Sequence, residues 1–206
     1  MVTTQEQSIT LEGSAAIIHE YLKYGVHSII FQRGIYPSGD FRPEEYNGVP
    51  MMVSRDDRIK SYVNRMMEKV QELILKKIIK KITVCIITLE KHEIIERWDF
   101  NIKPQYENEE TPISNKPLKE IQEEIRTVMR QIFATVSILP CIEKRCTFDI
   151  MVHTASNVFE ANPNVLEDFQ EENFESIEIK NSQTLELKQF STGFNKVKTS
   201  VIYKKA

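Results

Sequence analysis

Histidines, cysteines and carboxylates are the side chains in which a metal site or a nucleophile would first show, and here their spacing assembles neither. His19, His27, His92 and His153 are scattered without an HExxH pair. His19 and His27, eight residues apart, could share one helix face. With no third ligand in sight, a solvated or hydrogen-bonded histidine is the simpler reading. Cys85, Cys141 and Cys146 leave one thiol unpaired under any disulfide scheme and supply no pair of CxxC motifs for zinc, so they read as reduced thiols. The chain contains no G-x-S-x-G, GxGxxG or GxxxxGK[ST]. Its carboxylates gather in loops and helix starts, where solvation and capping account for them. The residues give an enzyme reading nothing to hold, and no catalysis, metal or cofactor is expected.

Composition narrows what it could bind. With 206 residues, 41% of them hydrophobic, the chain has material for one sizeable core, and one domain is expected. A net charge of −3 provides no basic field for nucleic acid or an anionic membrane. The N-terminal MVTTQEQSITLEG has no signal-peptide character, and no apolar run approaches the roughly 18 residues of a membrane span, so a cytosolic or nuclear protein is expected. Lys76, Lys77, Lys80 and Lys81 could hold phosphate, but lysines at a helix C-terminus are expected on electrostatic grounds alone.

The elements that would carry a binding surface follow from periodicity. Leu118 to Pro140 repeats Leu118, Ile121, Ile125, Val128, Met129, Ile132, Val136 and Leu139 at helical spacing, and reads as the buried central helix. Beside its stripe stands Arg130, with no carboxylate three or four residues away on the same helix. Spacing leaves two readings open, a partner surface or a solvated arginine beside the core Phe133. A first helix is expected over Ser14 to Phe31, started at Gly13-Ser14 and stopped by Gly34. A short hairpin is expected around Asn47-Gly48. The next helix would be capped by a Ser54/Asp57 box, with Ile59 to Ile78 on its stripe. Ile82 to Leu89 and Ile94 to Ile102 read as a β-hairpin in which Glu96, Trp98, Phe100 and Ile102 share one face. Lys103 to Lys116 reads as a surface loop, and Cys146 to His153 resumes the sheet. Ile177 to Ile179, Leu185 to Phe190 and Lys196 to Lys204 read as late strands of weakly specified register, a mobile, sheet-forming tail.

GSAAIIHEYLKYGVHSIIFQRGIYP (Gly13 to Pro37), IIERWDFNI (Ile94 to Ile102), EEIRTVMRQIFATVSILP (Glu123 to Pro140), FDIMVHT (Phe148 to Thr154) and FSTGFNKVKTSVIYK (Phe190 to Lys204) together resemble the HORMA-domain proteins of the spindle assembly checkpoint, the mitotic arrest deficient two family. The resemblance runs almost end to end and weakens at Lys103 to Lys116 and Ala155 to Asn181. Leu73 stands where family members carry tryptophan, Phe133 replaces a small polar residue, and the family's tryptophan near Pro163 is missing. RQI at Arg130 to Ile132 and ERW at Glu96 to Trp98 favour this branch over the translesion-synthesis/shieldin and meiotic-axis HORMA adaptors.

The resemblance implies an α+β fold: one HORMA domain over 1–206, three helices on a mostly antiparallel sheet, with a core of about 13–154 and a C-terminal safety belt of about 155–206. It implies open and closed conformers, the closed one trapping a partner peptide at an edge carrying Phe148, Ile150, Val152 and Trp98 beneath a belt carrying Leu185, Leu187, Phe190, Val197, Val201 and Tyr203. Conformers would dimerise through Arg33, Arg130, Gln131, Phe133, Ser137 and Ile138. Implied partners are a coiled-coil kinetochore protein of the mitotic arrest deficient one type, the activator of the anaphase-promoting complex, a second copy of the chain, and an AAA+ remodelling ATPase with its adaptor. The implied locations are nucleus, kinetochore, nuclear envelope and cytoplasm.

Overall fold

The computed structural model describes residues 9–105, 114–154 and 177–205. Residues 106–113 of the expected Lys103 to Lys116 loop and the first part of the expected belt, 155–176, lie outside these residues, and the start of that loop, Lys103 and Pro104, is still strand.

Packing is built around α1 (Leu11–Gln32). Ala15, Ile18, Tyr21, Leu22, Val26, Ile29 and Ile30 are all fully shielded, as are His27 and Ser28 between them. A helix buried on nearly every side belongs in the middle of a core. This corrects the expectation that Leu118 to Pro140 is the central helix. That segment forms α3 (Leu118–Thr135) followed by a 3-10 turn over Val136–Ile138. Ile121, Ile125, Val128, Met129 and Ile132 are its buried stripe, and Glu123, Arg130 and Ala134 are exposed. A sharp stripe marks a helix with one wet face, which is why its strong periodicity overstated its burial.

The start of α1 also moves. Thr10 is the cap, its hydroxyl accepting from the Gly13 N–H at 3.1 Å, while Ser14 lies inside the helix and is buried. Gly34 ends the helix as expected, with φ of +63°, its N–H donating to Phe31 and that of Ile35 reaching back to Ile30. β1 (Phe41–Tyr46) and β2 (Val49–Ser54) then form the expected hairpin, Asn47 and Gly48 both taking positive φ as a two-residue turn requires. In α2 (Asp57–Leu75) the expected Ser54/Asp57 box is replaced by Asp56, which accepts from the Arg58 N–H at 2.8 Å. Ile78 falls past the end of α2, where Lys77 turns to a φ of +61°.

The main sheet contains β3 (Ile79–Thr88), β4 (Ile94–Pro104), β5 (Cys146–Thr154), β6 (Ser182–Ser191) and β7 (Asn195–Lys204) in the order β5-β3-β4-β7-β6, every pair antiparallel. Trp98, Phe100 and Ile102 share one buried face as the alternation predicted, with Phe100 set against Gly25 of α1. Trp98 does not lie at the peptide edge. It pairs with Val84 on one side and Val201 on the other and is 0% exposed, because β4 runs through the sheet's interior. Ile177 to Ile179 form no strand; the Ile177 carbonyl is taken by the Arg97 guanidinium at 2.8 Å instead of by a ladder.

His27 of α1 is neutral in this core. Its Nδ1 accepts from the Ser54 N–H at 3.4 Å, and burial, aided by Lys23, holds its pKa down to about 4. The unfolded chain therefore takes up a proton near pH 6.5 that the folded chain refuses until about pH 4, so stability is lost as pH falls through that window. The loss should approach about 3 kcal/mol. Denaturant titrations from pH 7 to pH 4 would measure it, and His27→Gln should flatten the slope; an equal slope in the variant would assign the effect to other groups.

Candidate functional site

An extended partner can join a sheet only at an edge, and among the described residues β5 and β6 are the two edges of the five-stranded sheet. The expected edge residues Phe148, Ile150 and Val152 are on β5. Phe148 and Ile150 are buried, Phe148 meeting Tyr36 and Tyr62 edge to face at 6.1 and 5.7 Å. What β5 offers a partner is therefore its backbone, with these side chains fixing the strand on the core. Tyr62 and Asp149 reach the same edge and escaped the sequence reading, since a helix position and a strand position give no sign of meeting across 87 residues.

At the other end, the β6–β7 hairpin lies along β4 in a ladder running from Glu96↔Tyr203 to Pro104↔Asn195. Leu187, Phe190, Val197 and Val201 are buried, and Leu185 and Tyr203 are partly so. Phe190 meets Tyr21 edge to face at 4.7 Å. Burial of each such side chain is worth about 1.5–3 kcal/mol. Polar ties fix the hairpin further. The Tyr21 and Thr199 hydroxyls are 2.7 Å apart, as are those of Ser14 and Thr192, and Asn195 Nδ2 donates to Ser14 at 3.2 Å. From α3, Gln131 accepts the Lys188 N–H at 2.7 Å and Glu124 accepts that of Ser191 at 2.9 Å. Gly193 seats on Ser114, so closely that a Cβ there would lie 1.8 Å from the serine hydroxyl. In the sequence Ser14 reads only as part of a helix start and gives no sign of this network, whose partners lie far along the chain.

Between the end of α1 and β4, Arg33 and Glu96 form a buried pair. Arg33 Nε lies 3.0 Å from both carboxylate oxygens, its Nη2 donates to the Pro140 carbonyl at 2.6 Å, and the Trp98 indole donates to Glu96 at 2.8 Å. Burial pushes the Glu96 carboxyl up, and Arg33, the Trp98 donor and the Arg33 hydrogen bonds pull it back. The pair lines an open cleft of about 480 Å³ bordered by Pro140 to Lys144 and Tyr203 to Lys205. Among the described residues, no three His, Cys, Asp or Glu side chains gather to hold a metal. His19 bonds to Gln71 at 2.9 Å, far from any such role.

A HORMA domain profile matches residues 14–195. The human mitotic spindle assembly checkpoint protein MAD2A is 36% identical over 202 residues, 98% of this chain and 95% of that protein. The chain belongs to the HORMA-domain family. Its fold also matches a chain in the crystal structure of a mitotic checkpoint complex, with a TM-score of 0.82 at 30% identity over 94% of this chain and 99% of that one. Caenorhabditis elegans HTP-2 bound to a HIM-3 closure motif superposes with a TM-score of 0.78 over 96% of this chain and 93% of its own, a likeness of fold alone at 12% identity.

On this HORMA domain the six residues expected to mediate self-association separate into two groups. Arg130, Ser137 and Ile138 are exposed at the end of α3, Ile138 at 62%. Phe133 is half-buried against the core, Gln131 is engaged by β6, and Arg33, 8% exposed, is spent on Glu96 and Pro140. Arg33 is thus an internal tie and not the exposed contact expected, because the chain reverses at Gly34 and carries the guanidinium under the Pro140 loop. Arg33→Ala should cost about 3–5 kcal/mol by stranding a buried carboxylate. Adding Glu96→Gln should return part of that loss in urea unfolding; equal losses for the single and double variants would mean that Glu96 carries little charge.

Proposed function

We propose that this HORMA protein is a spindle assembly checkpoint adaptor that captures an extended peptide of a partner protein along the β5 edge. The observation that carries this reading is the strand order: the C-terminal hairpin fills the β4 edge and leaves β5 as the opposite terminus of the sheet. We read this arrangement as the closed, peptide-trapping one of the two conformers implied by the family resemblance. The relatives named as spindle checkpoint proteins and the structural neighbour in a mitotic checkpoint complex favour the checkpoint branch. The meiotic neighbour shares only the fold.

In this mechanism the partner strand gains main-chain hydrogen bonds on β5. The belt supplies slow release. β6 and β7 anchor it on the far side of the sheet, and the buried ties of Thr192, Asn195 and Thr199 oppose its departure. The partners proposed are the coiled-coil kinetochore protein and the activator of the anaphase-promoting complex, whose sequestration delays anaphase. The protein acts by binding, not by turnover. A hairpin held by this many buried groups suits an energy-consuming AAA+ remodeller as the agent that reopens it. The proposed setting is the nucleus and kinetochore.

Pull-down from mitotic extract distinguishes the branches: the anaphase activator supports the checkpoint reading, whereas a polymerase subunit or an axis protein would replace it. Deleting 195–206 should leave the helical signal in circular dichroism but abolish slow peptide release, raising the off-rate at least roughly tenfold by removing contacts that only the closed state makes. An unchanged off-rate would sink the belt mechanism. Arg130→Glu should weaken self-association in sedimentation by about tenfold at an unchanged melting temperature, as for charge reversal on an exposed interface. An unchanged dimer constant would remove Arg130 from that interface.

A further inference from the structure

Along β5 the register Cys85↔Asp149 and Val84↔Ile150 sets which backbone groups face β3 and which face outward. The Ile150 N–H faces outward, 3.0 Å from the Tyr62 hydroxyl oxygen and 2.8 Å from Asp149 Oδ1. The Tyr62 hydroxyl in turn donates to the same Asp149 oxygen at 2.5 Å. Hydroxyl, carboxylate and amide close a triangle over the middle of the edge. With its proton committed to Asp149, the tyrosine oxygen has a lone pair left for Ile150, so the orientation supports itself. Burial and the neighbouring Asp149 both keep the Tyr62 hydroxyl protonated, and its ring is fixed edge to face against Phe148.

A strand adding to β5 would be held by the outward N–H groups of alternate residues, Phe148, Ile150 and Val152. The central one is already occupied. An arriving carbonyl would meet two oxygens at Ile150, one of them part of a carboxylate, and lone pairs facing lone pairs repel. We propose that Tyr62 and Asp149 form a removable cap on the β5 edge, which a partner strand must displace from the Ile150 N–H before it can pair along the whole strand. The proposal rests on β5 being the peptide edge. A cap of this kind also answers the hazard of any open edge, which invites pairing with whatever strand comes by. A short or mispaired strand gains too few hydrogen bonds to displace it, whereas a strand that pairs along all of β5 does.

The cap is tested with Tyr62→Phe, which keeps the ring and loses only the hydroxyl, with Asp149→Ala, and with the double variant. In the free protein, exchange of the Ile150 amide followed by NMR should accelerate about tenfold in the double variant, the scale of one hydrogen bond to a charged group. The binding probe is a twelve-residue peptide selected by the wild-type protein from a random display library. Its association rate should rise about three- to tenfold in the double variant, with a smaller change in the off-rate, since the cap acts before pairing. Asp149→Asn, retaining an acceptor without charge, should fall between. Faster exchange at Ile150 with an unchanged or slower association rate would overturn the proposal and make the two side chains contacts of the bound strand. Unchanged exchange would overturn it too, leaving Tyr62 a tether between α2 and β5. If no selected peptide protects β5, the peptide-edge reading falls on its own account, and the cap stands or falls on the Ile150 exchange and on whether the double variant associates edge to edge.

Discussion

The pairing of β7 along β4 is the interaction that decides how the edges of the main sheet are filled. It completes the wall against which α1 is buried, since Val197 and Val201 come from β7 and Phe190 from its hairpin partner. It also supplies partners for groups that could not remain buried alone: without Thr199 the Tyr21 hydroxyl would be stranded, and without Thr192 and Asn195 so would that of Ser14. Apolar burial provides most of the attraction, but these hydroxyls reward only one register of the hairpin. Filling one edge then decides which edge is left.

Faces were legible in the sequence, and neighbours were not. The alternation of Glu96, Trp98, Phe100 and Ile102 put all four on one buried face, because period two is a property of one strand alone. Which strands flank β4 depends on a pairing made about a hundred residues further on, and for that reason Trp98 was assigned to an edge it does not occupy. Asn47-Gly48 gave the β1–β2 hairpin because the turn needs positive φ at both residues, a local demand. The centre of the core was misjudged for a related reason. Periodicity detects contrast between two faces, and the most buried helix, α1, has the least contrast.

The candidate site divides along the same line. Arg130, Ser137 and Ile138 are exposed as helix spacing allowed, whereas Arg33 and Gln131 are polar residues turned inward by partners remote in sequence, Glu96 and the Lys188 amide. A polar residue type carries an expectation of solvent, and only the three-dimensional neighbourhood overrides it. Tyr62 and Asp149 are the sharper case. Neither is unusual for its element, and their chemistry exists only because α2 passes over the end of the sheet.

One feature of the hairpin bears on timing. β6 and β7 are joined by a tight turn and pair with each other, a local event of the microsecond class for isolated hairpins. The β4–β7 ladder closes a far longer loop of chain, and contacts so distant in sequence form slowly. The hairpin can thus be a ready-made unit long before it docks, and can survive intact after it leaves. The clock of the molecule is set by the surface it leaves behind on α1 and β4, which must either find another cover or stand exposed to water while the unit is in transit.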